Sequence, residues 1–314
     1  MMLARVADSL YWVGRYLERA EHLCRLSDVM LTATLDQNDT AVAVAQVAVA
    51  AAGDPIEFLE GRTPMEAVHA LVFDRVDTGS VVTSLARARE NARQVRDQIT
   101  TETWERLNML YLRVTDAKAE RAFAQSSTAF LHEIIADLHL FKGASDATMS
   151  HGQGWRFLLL GVYLERAQLI ARLLDVCFGD RAGQGRLEGH FAQMAVLRMA
   201  CALEPYLRVY TAEIQPKYLL EFLLFDEEFP RSIRFATLRM EEHLTSLTRH
   251  ADYAGRGGPE RLAARLAARL EFADMEETLG AGALLGVVVG ECARIHHAIY
   301  ETFVAYPLEQ RLPA

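Results

Sequence analysis

The sequence has no Cys-x-x-Cys pair. Cys24, Cys177, Cys201 and Cys292 are widely separated, which excludes a zinc knuckle or a disulfide framework and suits a reducing, cytoplasmic setting. Positive charge is in deficit as well: 33 basic residues against 42 acidic ones leave a formal charge of −9, which argues against a nucleic-acid backbone as partner. The longest uncharged apolar stretch, Leu279 to Gly290, is shorter than the roughly 18 residues of a membrane-spanning helix. The first residues run straight into a pattern carrying Arg5, Asp8, Arg15 and Glu18, without the basic start and apolar core of a secretion signal.

Catalytic and cofactor signatures are also missing. There is no Gly-x-Ser-x-Gly elbow, no phosphate loop ending in Gly-Lys-Ser/Thr and no strand-linked Gly-x-Gly-x-x-Gly, so no cofactor is expected. Glu18 with His22, and Glu133, Asp137 and His139, raise the question of a metal-carrying bundle. The duplicated Glu-x-x-His of a di-iron site is absent, however, and no metal is expected.

Strand signals are lacking too, with no long period-two runs and no Asn-Gly or Asp-Gly hairpin turns, whereas helical spacing recurs from end to end. The chain is therefore expected to be all-α. Helices are predicted over about 3–35, 40–52, 64–73, 80–99, 101–115, 117–142, 154–178, 188–212, 216–225, 231–250, 259–272 and 274–304. Asp54-Pro55 and Thr63-Pro64-Met65-Glu66, the latter a capping box, mark helix starts. Glycine clusters near Gly143–Gly154, Gly179–Gly185 and Gly255–Pro259 mark loops, and Gly282, Gly286 and Gly290 put a side-chain-free face where another helix is expected to approach closely.

What is present is a repeat. Gly14-Arg15-Tyr16-Leu17-Glu18-Arg19-Ala20 lines up with Gly161-Val162-Tyr163-Leu164-Glu165-Arg166-Ala167, and Arg25-Leu26 and Asp28-Val29 match Arg172-Leu173 and Asp175-Val176. A weaker match, Phe73-Asp74 then Ser80-Val81 against Phe225-Asp226 then Ser232-Ile233, follows in the same order at a similar offset. The expectation is a multi-helix bundle of two diverged repeats, about 1–150 and 151–314, packed with pseudo-two-fold symmetry as one continuous globular unit.

At about 100° per residue, Trp12, Val13, Tyr16, Leu17, Ala20, Leu23 and Cys24 share one face of the first repeated helix, and Arg15, Glu18, Glu21, His22, Arg25 and Asp28 the other. In the second copy Val162 and Leu169 replace Arg15 and His22, so that helix reads as buried nearly all round with a stripe of Glu165, Gln168, Arg172 and Asp175. Buried charges need partners. Glu18, Arg25, Glu165 and Arg172 therefore either line a polar cleft between the copies or form salt bridges that fix the bundle's register. In the cleft reading Glu18 and Glu165 are candidate acid/base residues, and Arg15, Arg19, Arg25, Arg166 and Arg172 candidate ligand-binding cations. Arg89, Glu90 and Asn91 offer a second set of ligand groups, or a plain polar helix face.

The stretch Leu10-Tyr11-Trp12-Val13-Gly14-Arg15-Tyr16-Leu17-Glu18-Arg19-Ala20-Glu21 resembles the signature of the bacterial alpha-E family of uncharacterised helical proteins. Ala88-Arg89-Glu90-Asn91-Ala92-Arg93, Trp104-Glu105-Arg106-Leu107-Asn108, Gly152-Gln153-Gly154-Trp155-Arg156-Phe157 and the run from Phe225 to Ser232 resemble further family motifs. Val162 departs from the arginine usual in the family's second motif. The resemblance implies company with circularly permuted ATP-grasp proteins and transglutaminase-like proteins. It thus implies a part in peptide or amide synthesis or modification, as an accessory binding component, an enzyme, or a structural scaffold; it leaves the oligomeric state open.

Overall fold

The structure is a computed structural model that describes residues 2–35, 40–76, 79–179, 189–210, 213–249, 258–273 and 282–305. Among these residues there are fourteen α-helices and no strand. In chain order they are α1 (Ala4–Leu35), α2 (Thr40–Ala52), α3 (Pro64–Phe73), α4 (Val81–Gln94), α5 (Thr101–Thr115), α6 (Ala119–Gln125) and α7 (Ser127–Thr148), then α8 (Gln153–Phe178), α9 (His190–Met199), α10 (Leu203–Val209), α11 (Pro216–Phe225), α12 (Ile233–Thr248), α13 (Pro259–Glu271) and α14 (Gly282–Ile299).

The two helices that carry the Tyr-Leu-Glu-Arg-Ala string, α1 and α8, form the centre. They pack chiefly on each other; α4 and α7 also cover α1, and α12 and α14 cover α8. Glycine permits this. A Cβ added at Gly14 would overlap the carbonyl oxygen of Leu158, and one at Gly161 that of Tyr11, so the two backbones touch where the glycines meet. As expected, α8 is buried nearly all round. The charged face assigned to α1 is a different matter: Glu18, Glu21 and His22 are all buried, because α7 and the segment before α12 cover them.

Local chemistry sets several boundaries. Thr63 Oγ1 accepts from Glu66 N–H while the Glu66 carboxylate accepts from Thr63 N–H, the expected capping box. Ser80 and Ser232 cap α4 and α12 alike. Each side-chain oxygen accepts an N–H three residues on, and each hydroxyl donates back to the carbonyl of Asp74 or Asp226.

Other expectations fail for identifiable reasons. The helix predicted over 117–142 splits at Ser126, whose backbone is extended, into α6 and α7; α7 then runs through Gly143 because Phe141, Ala144 and Ser145 anchor it in the interior. The helix predicted over 188–212 breaks at Cys201, which adopts a left-handed φ of 55°. Asp54-Pro55 opens only a short 3₁₀ turn, Ile56–Leu59. Gly286 and Gly290 face open space, so the close approach expected there occurs at Gly14 and Gly161 instead. The segments 180–185, 255–257 and 274–281 lie outside the described residues.

Candidate functional site

The Glu-Arg dipeptides of α1 and α8 face one another and exchange partners. Glu18 receives Nε and Nη2 of Arg166 at 2.8 and 2.9 Å. Glu165 receives Nε of Arg19 at 2.8 Å and Nε of Arg15 at 2.5 Å. Paired forks of this kind fix distance and angle together. Arg15 also donates to Gln168 at 2.8 Å and lies over the Trp12 ring, and Arg166 donates to the Pro230 carbonyl at 2.9 Å.

Three other elements complete the network. From α7, Lys142 Nζ reaches Glu18 at 2.8 Å and Glu21 at 2.5 Å. Arg231, just before α12, pairs with Glu21 and lies 3.3 Å from Glu18. Arg25 folds back onto Glu21 at 2.7 Å, and His139 approaches Glu21 at 3.3 Å. Burial alone would raise the Glu18 carboxyl, but Arg166, then Lys142 and Arg231, hold it far below the usual carboxylate range. Glu21 is likewise held low against burial, by Arg231 and Lys142. A general acid/base needs a pKa near working pH and an open path to substrate. Glu18 is buried and fully engaged with Arg166, Lys142 and Arg231.

The remaining sequence candidates divide. Arg15, Glu18, Arg19, Glu165 and Arg166 converge, and Arg25 joins through Glu21. Arg172 goes elsewhere: its Nη1 sits 3.4 Å from the Ala52 carbonyl, at the C-terminal end of α2 where cations are favoured, beside Gly53 with a φ of +106°. Arg89 donates to Asn108 at 2.8 Å, Glu90 holds Arg93 at the surface, and Asn91 donates to the Arg87 carbonyl, so this set takes no part in the network. Glu133 and Asp137 both face Arg113. Among the described residues no cluster of three His, Cys, Asp or Glu side chains is placed to hold a metal.

Sequence reasoning missed Lys142 and Arg239, and it did not connect Arg231 or His243 with the Glu-Arg helices. Lys142 had one usable signal: it is one of only three lysines in the chain. Beside the network, between α1, α7, α8 and α12, lies a cavity of about 340 Å³. Leu17, Phe141, Leu159 and Val162 supply apolar wall, and Lys142, Arg166, Arg239 and His243 supply polar wall. Val162 occupies the α8 position that corresponds to Arg15 of α1, and its short side chain leaves this space open. His243 is buried, stacked near Tyr163, and burial pushes its imidazole down to about 4.

Fold and site together define a helical bundle whose centre is a reciprocal Glu-Arg crossing. The chain belongs to the Alpha-E family, described as a predicted alpha-helical domain with a conserved ER motif, whose model matches residues 2–304. It is similar to uncharacterised proteins of Mycobacterium bovis and Mycobacterium tuberculosis, each 27% identical over 304 residues, a match that covers 87% of this chain and 33% of the relative. The chain thus spans about a third of the length of these curated relatives. No solved structure matches it. No described helix is long and apolar enough to cross a membrane.

Proposed function

We propose that this chain is a binding component, rather than the catalytic centre, of an ATP-grasp-associated system for peptide or amide synthesis or modification. The observation that carries the binding role is the cavity beside the crossing: the Glu-Arg carboxylates are occupied by structural partners, while the adjoining space is open and mixed in character. Its volume lies at the lower end of ligand-pocket sizes, roughly 300–1,000 Å³. A scaffold without a ligand has no need of such a space. The ATP-grasp association follows from the family resemblance, with a circularly permuted ATP-grasp protein, and a transglutaminase-like protein beside it, as partners.

In this reading the chain consists of two diverged repeats, about 1–150 and 151–314, related by a pseudo-two-fold axis through the Gly14–Gly161 contact. Three observations favour it: the reciprocal glycine contacts, the exchanged Glu18–Arg166 and Glu165–Arg19 pairs, and the like turns ending in Ser80 and Ser232. Each copy then supplies one Glu-Arg pair of the kind the family's description gives as its conserved ER motif. Co-purification and mass photometry with a circularly permuted ATP-grasp protein from the same organism test the proposal. A stoichiometric complex is the expected result; no complex, together with no ligand bound by the isolated chain, removes the proposal.

A further inference from the structure

We infer that the cavity between α1, α7, α8 and α12 takes a small carboxylate with an apolar body; this rests on the binding role proposed above. Charge favours an anion there. Among the described residues the network sets six cations, Arg15, Arg19, Arg25, Lys142, Arg166 and Arg231, against three carboxylates, Glu18, Glu21 and Glu165. That is an excess of three positive charges inside a chain whose net charge is −9. The surplus sits on the partly exposed Arg19, Arg25 and Lys142, where a counter-anion from solvent can reach it. Two of the six, Lys142 and Arg166, line the cavity. Arg166 commits three of its N–H groups to Glu18 and Pro230, and the Lys142 ammonium serves two carboxylates and has a third proton to give.

Donor polarity favours an acceptor as well. Among the described cavity-lining residues, the two buried side-chain atoms without a hydrogen-bond partner are Arg239 Nε and His243 Nε2. The first is a donor. His243 Nδ1 lies 3.4 Å from Arg156 Nη1, and a guanidinium only donates, so Nδ1 accepts and the neutral ring carries its proton on Nε2. Both unpartnered groups therefore call for an acceptor. The acidic side chains on the wall do not fill this need: Glu242 is held by Arg239 at 2.5 Å, and Asp146 faces His151 and is 71% exposed. Leu17, Leu158, Leu159, Val162 and Phe141 leave a body of matching apolar character as the other half of the ligand.

The test titrates phenylbutyrate, phenylbutyramide and phenylbutylamine into the full chain, following methyl resonances of Leu17, Leu159 and Val162 by NMR and heat by calorimetry. The carboxylate is expected to bind at least about tenfold more tightly than either analogue. It should shift those methyls, and Val162→Phe, which fills the space, should abolish binding while the melting curve stays cooperative. If Val162→Phe does not fold, His243→Phe serves instead, with a loss of carboxylate preference expected. Equal or tighter binding of the amide or the amine at the same methyls overturns the carboxylate assignment but leaves the binding role standing. Carboxylate binding that leaves those methyls unmoved overturns the location. No binding of any probe at millimolar concentration overturns this inference and weakens the binding role as well.

Discussion

Replacing Gly14 by alanine separates two physical effects of opposite sign. Helix propensity alone makes Gly→Ala in a helix interior favourable by about 1 kcal/mol. The crossing makes it unfavourable, because the new Cβ would overlap the Leu158 carbonyl oxygen and stand 2.9 Å from the Val162 nitrogen. Both are backbone atoms of a buried helix, so no side chain can swing aside and α1 must move off α8. Overpacking of this kind costs about 1–3 kcal/mol and sometimes more. Movement here also strains the Glu18–Arg166 fork, which adds to that cost. The expected net loss is about 1–2 kcal/mol, or a fall in Tm of roughly 2–3 °C for a chain of 314 residues. Urea denaturation and calorimetry measure it, with Gly286→Ala as the control: there a Cβ meets open space and a gain of about 0.5–1 kcal/mol is expected. Gly161→Ala should behave like Gly14→Ala, and the double variant should lose less than the sum, since one displacement relieves both contacts. A neutral or stabilising Gly14→Ala refutes backbone contact at the crossing.

Two further outcomes are expected. Burial, then Arg231, holds the His22 imidazole at about 3 in the folded chain against an ordinary 6.5, so the unfolded chain takes up that proton first. Stability should therefore fall as the pH drops below about 6.5, by up to about 1.4 kcal/mol per pH unit, until about pH 3. His22→Leu, which gives α1 the residue α8 carries as Leu169, should flatten chemical-denaturation stability between pH 6.5 and 4.5 relative to wild type; an unchanged slope is the contrary result. Ser80→Ala and Ser232→Ala should each cost about 1 kcal/mol in urea midpoints through lost caps, and a large difference between them would count against equivalence of the two turns.

Much of this was legible in the sequence because local chemistry decided it. The Thr63-Glu66 capping box, the α5 boundaries and the buried character of α8 follow from neighbours a few residues away. The repeat also pointed to Glu18, Arg19, Glu165 and Arg166. What it hid was the exchange of partners: Glu18 and Arg25 share a stripe on one helix, yet Glu18 pairs across the crossing and Arg25 serves Glu21. Helical periodicity describes one cylinder and cannot say which cylinder faces it. For the same reason the charged side of α1 does not disclose its partners Lys142 and Arg231, which lie far away in sequence and bury it. The cavity was foreshadowed only as the anomaly of Val162 opposite Arg15, since an empty space has no residue of its own.

The central claim is that reciprocal Glu-Arg pairs hold α1 across α8. A double-mutant cycle of Glu18→Gln and Arg166→Leu, read by urea denaturation, tests it most directly. Glu18→Gln strands the buried Arg166 guanidinium and should cost about 3–5 kcal/mol, whereas Arg166→Leu leaves Glu18 with Lys142 and Arg231 and should cost less. The coupling between the two sites should be at least about 2 kcal/mol, within the range found for residues that share one network. A coupling within about 0.5 kcal/mol of zero, the behaviour of independent sites, would contradict the claim.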